Sequence, residues 1–291
     1  MEEANSSAWP RVGAMAHELA GQSPEPQRLL ALLRDSGLRA VQLGVPLLEE
    51  VMGDRGRIAA WRGQLERVAI PLVALGGYRN LVAPDETRRR ANIRFLQRCL
   101  ELAPQFGTTV VATETGTRNR EDEWASSPEN RGREAWEILC ATLRELLPVA
   151  ERHGTTLALE GHVNHVIGTP EHLATLLGQF PTPHLRVVLD PYNYLGHGLL
   201  PRKEQAVGAF LEQFRDRFVL AHLKDVSREG AEVDTPAFGQ GVFPQRLYLD
   251  FLQHERPDLP LIVEHLSVDQ LPAVLQRVQR ALEQRAEGRP R

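Results

Sequence analysis

Two hydrophobic periods alternate along this chain. Short runs rich in Val, Leu, Ile and Ala are separated by longer stretches in which apolar residues return every third or fourth position. The first pattern predicts strands buried on both faces, and the second predicts helices that bury one face. The strand candidates are 12–17 (VGAMAH), 40–44 (AVQLG), 70–77 (IPLVALGG), 108–113 (TTVVAT), 155–160 (TTLALE), 186–190 (RVVLD), 217–222 (RFVLAH) and 260–264 (PLIVE). Helix candidates follow each in turn: 27–36, 57–69, 85–106, 133–153, a segment opening at Thr169, 203–214, 243–253 and 267–287. Their ends carry the expected signals. Gly37, Gly107 and Gly154 sit just past the periodic stretches, where a left-handed residue is needed. Thr169, Pro170 and Glu171 form a cap, a first-turn proline and a first-turn acid.

Eight strands alternating with eight helices imply a parallel sheet with helices outside it. Eight repeats in 291 residues fit an α/β fold with a single closed (β/α)8 barrel, the TIM barrel, better than an open doubly wound sheet. No Gly-x-Gly-x-x-Gly follows the first strand, which argues against dinucleotide binding. No domain boundary is visible, so 1–291 reads as one barrel domain. Its tails, 1–9 and 287–291, are polar and expected to be disordered. The longest polar segment, 117–132 (TRNREDEWASSPENRG), exceeds the needs of a connector and is expected to act as a lid or binding loop.

Charge and composition narrow the function. Thirty-four basic and 38 acidic residues give a net charge of −4, with no basic block of the kind that marks a nucleic-acid partner. Cys99 and Cys140 lie far apart in helical stretches and read as reduced core residues, not a disulfide framework. No run of about 18 apolar residues occurs and no signal-peptide pattern opens the chain, so no membrane partner and a cytoplasmic location are expected. Lysine occurs only at Lys203 and Lys224, which singles out Lys224 within HLKD.

The candidate chemistry lies where strands end. TTLALE closes on Glu160, RVVLD on Asp190, RFVLAH on His222 and PLIVE on Glu264. In a barrel the C-terminal strand ends open onto one face, and the active site is built there. Three carboxylates and an imidazole then converge from four consecutive strands. That set suits a hard divalent ion, with Mn²⁺ expected and Mg²⁺, Co²⁺ or Zn²⁺ as alternatives. Taken singly, Asp190 could cap a turn, Glu264 could sit near a helix start and His222 could be a bonded core histidine. The four together favour the metal.

LALEGHVNHVIGTPEHLATLL, RVVLDPYN, LAHLKD, the GQG within 238–242 and LIVEHL resemble the xylose isomerase-like barrel superfamily, in its sugar phosphate isomerase/epimerase branch. The resemblance runs from GAMAH to LIVEHL and is most specific in the second half. It implies one metal held by Glu160, Asp190, His222 and Glu264, with Glu160 and Glu264 also moving protons through a metal-stabilised enediolate. The implied function is isomerisation or epimerisation of a keto sugar or polyol derivative. A lyase or dehydratase on a keto-sugar or inosose-like substrate is the alternative; an endonuclease-like hydrolase and a non-catalytic subunit are less favoured. Relatives often pair, so a homodimer is also implied.

The chain departs from the family pattern at two places. Asn193 stands where ketose epimerases carry histidine, and Gln42 where the second strand often ends in glutamate. Further polar groups fall near the expected site: Glu114, His162, His165, Lys224 and Asp225, with His17 at the end of the first strand and Trp124 in the long loop. Of these, Glu114, His162, Asn193, Lys224, His17 and Trp124 are the candidates for touching substrate. Glu114 could instead cap the loop, His165 brace it, Lys224 pair with Asp225, and Arg118 and Arg120 be solvated. The eighth-strand loop HLSVDQLP has no glycine to let backbone amides cradle a phosphate.

Overall fold

A computed structural model describes residues 11–20 and 26–283. The two tails expected to be disordered lie outside the described residues, as does the last predicted helix beyond 283. Eight parallel strands close on themselves in sequence order: β1 (Val12–Met15), β2 (Ala40–Leu43), β3 (Leu72–Gly76), β4 (Val110–Glu114), β5 (Thr156–Glu160), β6 (Leu185–Leu189), β7 (Phe218–Leu223) and β8 (Leu261–Val263). β8 pairs with β1, Leu261 against Val12. The expected (β/α)8 barrel is therefore the fold.

The helices are α1 (Ala16–Ala20), α2 (Pro26–Asp35), α3 (Val45–Val51), α4 (Arg55–Val68), α5 (Glu86–Phe106), α6 (Arg133–His153), α7 (Pro170–Gln179), α8 (Lys203–Phe214), α9 (Gln245–His254) and α10 (Leu271–Glu283). Strict alternation thus fails twice, because α1 and α3 are extra short helices inserted after β1 and β2. α1 has only five residues, too few for a periodic signal, and α3 carries Pro46 in its first turn. α1 also corrects the placement of His17, which lies in this helix and not at the end of the first strand. The predicted caps hold: the Thr169 hydroxyl accepts from His172 N, and Gly107 and Gly154 close α5 and α6 with φ of 92° and 63°.

Alternate residues of a strand share a face, and this builds the barrel interior in layers. One layer comprises Met15, Ala40, Ala74, Ala112, Ala158, Val188, Leu220 and Ile262, all buried. Its small residues come from β2 to β5 and its large ones from β6, β7, β8 and β1, so the two halves interlock. Two positions further on, at the C-terminal mouth, the same alternation gives Gln42, Gly76, Glu114, Glu160, Asp190, His222 and Glu264. A larger cluster, formed by outward strand residues and helix faces, seals the barrel from outside. Among the described residues no helix is long and apolar enough to cross a membrane, and both cysteines are buried and unpaired.

Leu220 is fully buried directly beneath His222. Leu220→Ala is expected to cost about 2–5 kcal/mol through lost transfer energy plus an unfilled cavity. Urea denaturation measures this, and a cost under about 1 kcal/mol would show the layer to be loosely packed.

Candidate active site

The polar ring at the mouth stands on that apolar layer. Glu160, Asp190, His222 and Glu264 are all buried, and one ligand atom from each lies within 4.8 Å of the others. His222 Nδ1 faces Glu160 Oε2 at 3.2 Å, Asp190 Oδ2 at 3.3 Å and Glu264 Oε2 at 3.3 Å. Its other nitrogen, Nε2, donates to Gln42 Oε1 at 3.2 Å. A histidine ligand commonly gives its second N–H to such an acceptor, which fixes the ring and its tautomer. Gln42 thus turns Nδ1 toward the carboxylates. An oxygen-rich donor set that converges in this way, with its imidazole already oriented, fits a hard divalent ion.

Two further partners order the ring. The Gln42 amide donates to the Tyr78 hydroxyl at 3.1 Å, and that hydroxyl donates to Glu160 Oε2 at 3.2 Å. Asn193 Nδ2 donates to the other oxygen, Oε1, at 2.6 Å. Tyr78 was not anticipated from the sequence. Its only signal is GGYRN directly after the third strand: at Gly76 an added Cβ would lie 2.9 Å from the Tyr78 ring and 3.1 Å from the Gln42 amide. At the base, the Tyr248 hydroxyl of α9 reaches the carbonyls of Leu189, at 3.2 Å, and of His222. It ties together the ends of the two strands that present Asp190 and His222.

Lys224 is buried against the same oxygens, with Nζ 2.7 Å from Asp190 Oδ2, 3.1 Å from Glu264 Oε2 and 3.7 Å from Glu160 Oε1. It does not pair with Asp225. Asp225 instead accepts from Val226 N and Phe243 N, both at 2.9 Å, and from Gly239 N at 3.0 Å. The GQG glycines fit this wrap: Gly239 has φ of 81°, and a Cβ on Gly241 would fall 2.1 Å from Val226 O.

Burial opposes every charge here, and the balance differs from group to group. For Asp190 and Glu264 the cost of burial is outweighed by Lys224 and His222, which hold both carboxyls below the usual range. Burial prevails at Glu160, which is raised in spite of His222. His222 would be discharged by burial alone, but Glu264 and Glu160 hold it up at about 10. Lys224 is raised by Asp190, Glu264 and Glu160 against its own desolvation. Glu114 pairs in register with Glu160 across β4 and β5. Burial and the Glu160 charge push it well above the carboxylate range.

The remaining candidates lie further out. His17 packs against Gly44, where a Cβ would meet its Nδ1 at 2.0 Å. His162 Nδ1 accepts from Asn164 N at 3.1 Å. Trp124 is 56% exposed and sits 5.9 Å, centroid to centroid, from His165, which is 5.2 Å from His162. The loop carrying Trp124 is tied down. Asn130 Nδ2 donates to Asn164 O at 2.7 Å, and Asn119 Nδ2 to Ser126 O at 3.0 Å. Arg118, expected to be solvated, instead donates to Val82 O at 2.9 Å and Ala83 O at 3.3 Å and is largely buried. The loop is a braced wall of the mouth.

A closed parallel barrel whose last four strands direct acids and an imidazole to one point at the C-terminal mouth defines a class of barrel enzymes. The family model described as xylose isomerase-like TIM barrel matches residues 30–285, and the chain belongs to that family. No curated protein sequence matches it. Similar solved structures include 3-keto-D-glucoside 4-epimerase from E. coli, with TM-score 0.71, 17% identity, and coverage of 93% of this chain and 99% of that one. A probable 3-DHS dehydratase from Bacillus anthracis has TM-score 0.68, 14% identity, and coverage of 92% and 98%. A xylose isomerase-like barrel from Mycobacterium smegmatis, in complex with magnesium, has TM-score 0.67, 18% identity, and coverage of 97% and 98%. At these identities the likeness is one of fold.

Two outcomes are expected from this geometry. Asp225→Ala strands three backbone donors, costing roughly 3 kcal/mol; urea denaturation should show the loss and limited proteolysis a new cut within 226–243. Burial lowers His162 and His165 from 6.5 to about 4 and about 3. With folded values below the unfolded one, each neutral ring's contribution to stability is fully present above about pH 6.5 and is lost as pH falls toward 3. Melting temperature should therefore drop between pH 7 and 4, and less so in His165→Gln; an identical slope in that variant would refute the assignment.

Proposed function

We propose that this chain is a divalent-metal-dependent isomerase or epimerase acting on a keto sugar or polyol derivative. The observation that carries the reading is the pair Glu160 and Glu264. They reach one imidazole nitrogen from strands three apart in the barrel, so a substrate carbon seated between them has a carboxyl on either side. A divalent ion held by Glu160, Asp190, His222 and Glu264 would act as a Lewis acid on the substrate carbonyl, and the magnesium in the Mycobacterium smegmatis barrel supports a hard ion.

The chain's own groups then divide the work. One glutamate removes the proton from the carbon beside the carbonyl, and the other returns a proton to the opposite face or to the neighbouring carbon. Glu264, held ionised by His222 and Lys224, is suited to accept. Glu160, raised by burial and bonded by Asn193 and Tyr78, is suited to donate. Lys224 steadies negative charge as it develops on a substrate oxygen, and burial of the whole ring keeps water from competing for the proton.

Glu114 supports a second reading on the same scaffold. A neutral buried acid next to Glu160 can give its proton to a departing hydroxyl, which leaves as water once the neighbouring carbon has lost its own proton. The enzyme would then be a lyase. The dehydratase among the similar folds is consistent with that outcome.

Incubating the Mn²⁺- or Mg²⁺-loaded protein with a ketose panel in D₂O should exchange one carbon-bound proton, read by NMR. Glu160→Gln and Glu264→Gln should each slow exchange by about 10²–10⁴-fold, and chelation should abolish it until metal is restored. No exchange with any ketose would refute the reading. A new ultraviolet-absorbing enone that disappears in Glu114→Gln would assign the lyase instead.

A further inference from the structure

The ladder of β8 stops one residue short of Glu264. Val263 is the last residue in register with both neighbours, Ala14 on β1 and Leu223 on β7. Past that point the β7 side still holds the chain, since Glu264 N donates to Leu223 O at 3.1 Å. On the other side β1 gives way to α1 at Ala16, and a side chain of α1 takes over. Glu18 Oε1 accepts from His265 N at 2.9 Å, and its Oε2 from Leu266 N at 3.4 Å. Glu18 and His265 are 247 positions apart, so this bond forms only when the barrel closes.

His265 needs such a hold. Its φ is 57°, and the other described non-glycine residue with positive φ, Ala69, is a helix cap. A residue with a Cβ enters this left-handed region at a cost, and stays there when its surroundings impose it. Two contacts impose it here. Glu18 takes the backbone N–H, and the imidazole Nδ1 donates to the Thr235 carbonyl of the β7 loop. The first of these bonds fixes the peptide that joins Glu264 to His265, and thus the backbone from which the Glu264 side chain springs. That side chain must meet His222 at 3.3 Å and Lys224 at 3.1 Å inside the ring. Burial, then the charge of Glu264, raises the Glu18 carboxyl to about 7 while its two N–H donors oppose the rise, so Glu18 stands within the field of Glu264.

We propose that Glu18 is a positioning residue for Glu264: it clamps the left-handed turn after β8 and so sets the angle at which Glu264 enters the acid ring. A carboxylate that accepts from two successive N–H groups is a strong restraint, and partners that act through a ligand commonly change metal affinity when removed. This role rests on the reading of the ring as an ion site with Glu264 as proton acceptor, but the clamp itself can be measured without either.

Amide hydrogen exchange reads the clamp directly. The N–H groups of His265 and Leu266 should be protected, and should exchange at least about tenfold faster in Glu18→Ala. Calorimetry should show Mn²⁺ binding weakened about 10–100-fold in that variant. Glu18→Gln loses the same charge but keeps one acceptor oxygen, so it should lose less on both measures; it also carries the test if Glu18→Ala fails to fold. A double-mutant comparison separates positioning from charge. Glycine adopts the left-handed region freely, so in a His265→Gly background Glu18→Ala should weaken Mn²⁺ binding by only about twofold. Unchanged amide protection, unchanged Mn²⁺ affinity, or an equal loss in both backgrounds would each overturn the role. Wild-type protein that binds no Mn²⁺ would count against the catalytic reading, while the exchange rates at 265 and 266 still decide the clamp.

Discussion

Three carboxylates buried within contact of one another cannot stay charged unless positive groups join them. Stripping each of water costs several kcal/mol, and their mutual repulsion adds to it. His222 and Lys224 meet that demand here, each touching oxygens of Glu160, Asp190 and Glu264. The rest of the mouth follows from this balance. Gln42 aims the imidazole, Tyr78 and Asn193 hold Glu160, and burial with the Glu160 charge pushes Glu114 above the carboxylate range.

The barrel makes such a cluster possible because it separates packing from chemistry along each strand. The layer of Ala40, Ala74, Ala112 and Ala158 against Val188, Leu220, Ile262 and Met15 is dry and fixed. One step toward the mouth, the same alternation delivers the groups of the polar ring. Their side chains inherit positions set by hydrogen-bonded backbone. The loops are braced in turn, Asp225 gathering the β7 loop and Asn130 the β4 loop.

The apolar runs and helical spacing carried the fold: all eight strands lie where predicted, within a few residues, and the long helices α6 and α8 match at both ends. The short helices α1 and α3 escaped because a helix of five or seven residues has too few turns to show a period. Glu160, Asp190, His222 and Glu264 were legible because each closes an apolar run, where a charge has no reason to be unless something binds it. Arg118 was misjudged for the opposite reason. Its sequence surroundings are polar, and only the folded chain shows it bonded to backbone.

The amino-acid order by itself determined the strand count, the inward face of every strand and hence which acids reach the mouth, since side-chain alternation is a local property of extended backbone. Tertiary structure alone decided which nitrogen of His222 faces the carboxylates, that Tyr78 joins Glu160 from 82 positions away, and that Lys224 chooses the acids over its neighbour Asp225. Those outcomes depend on distances between segments remote in the chain. Such distances exist only once the barrel has closed and the energies of buried charges are settled together.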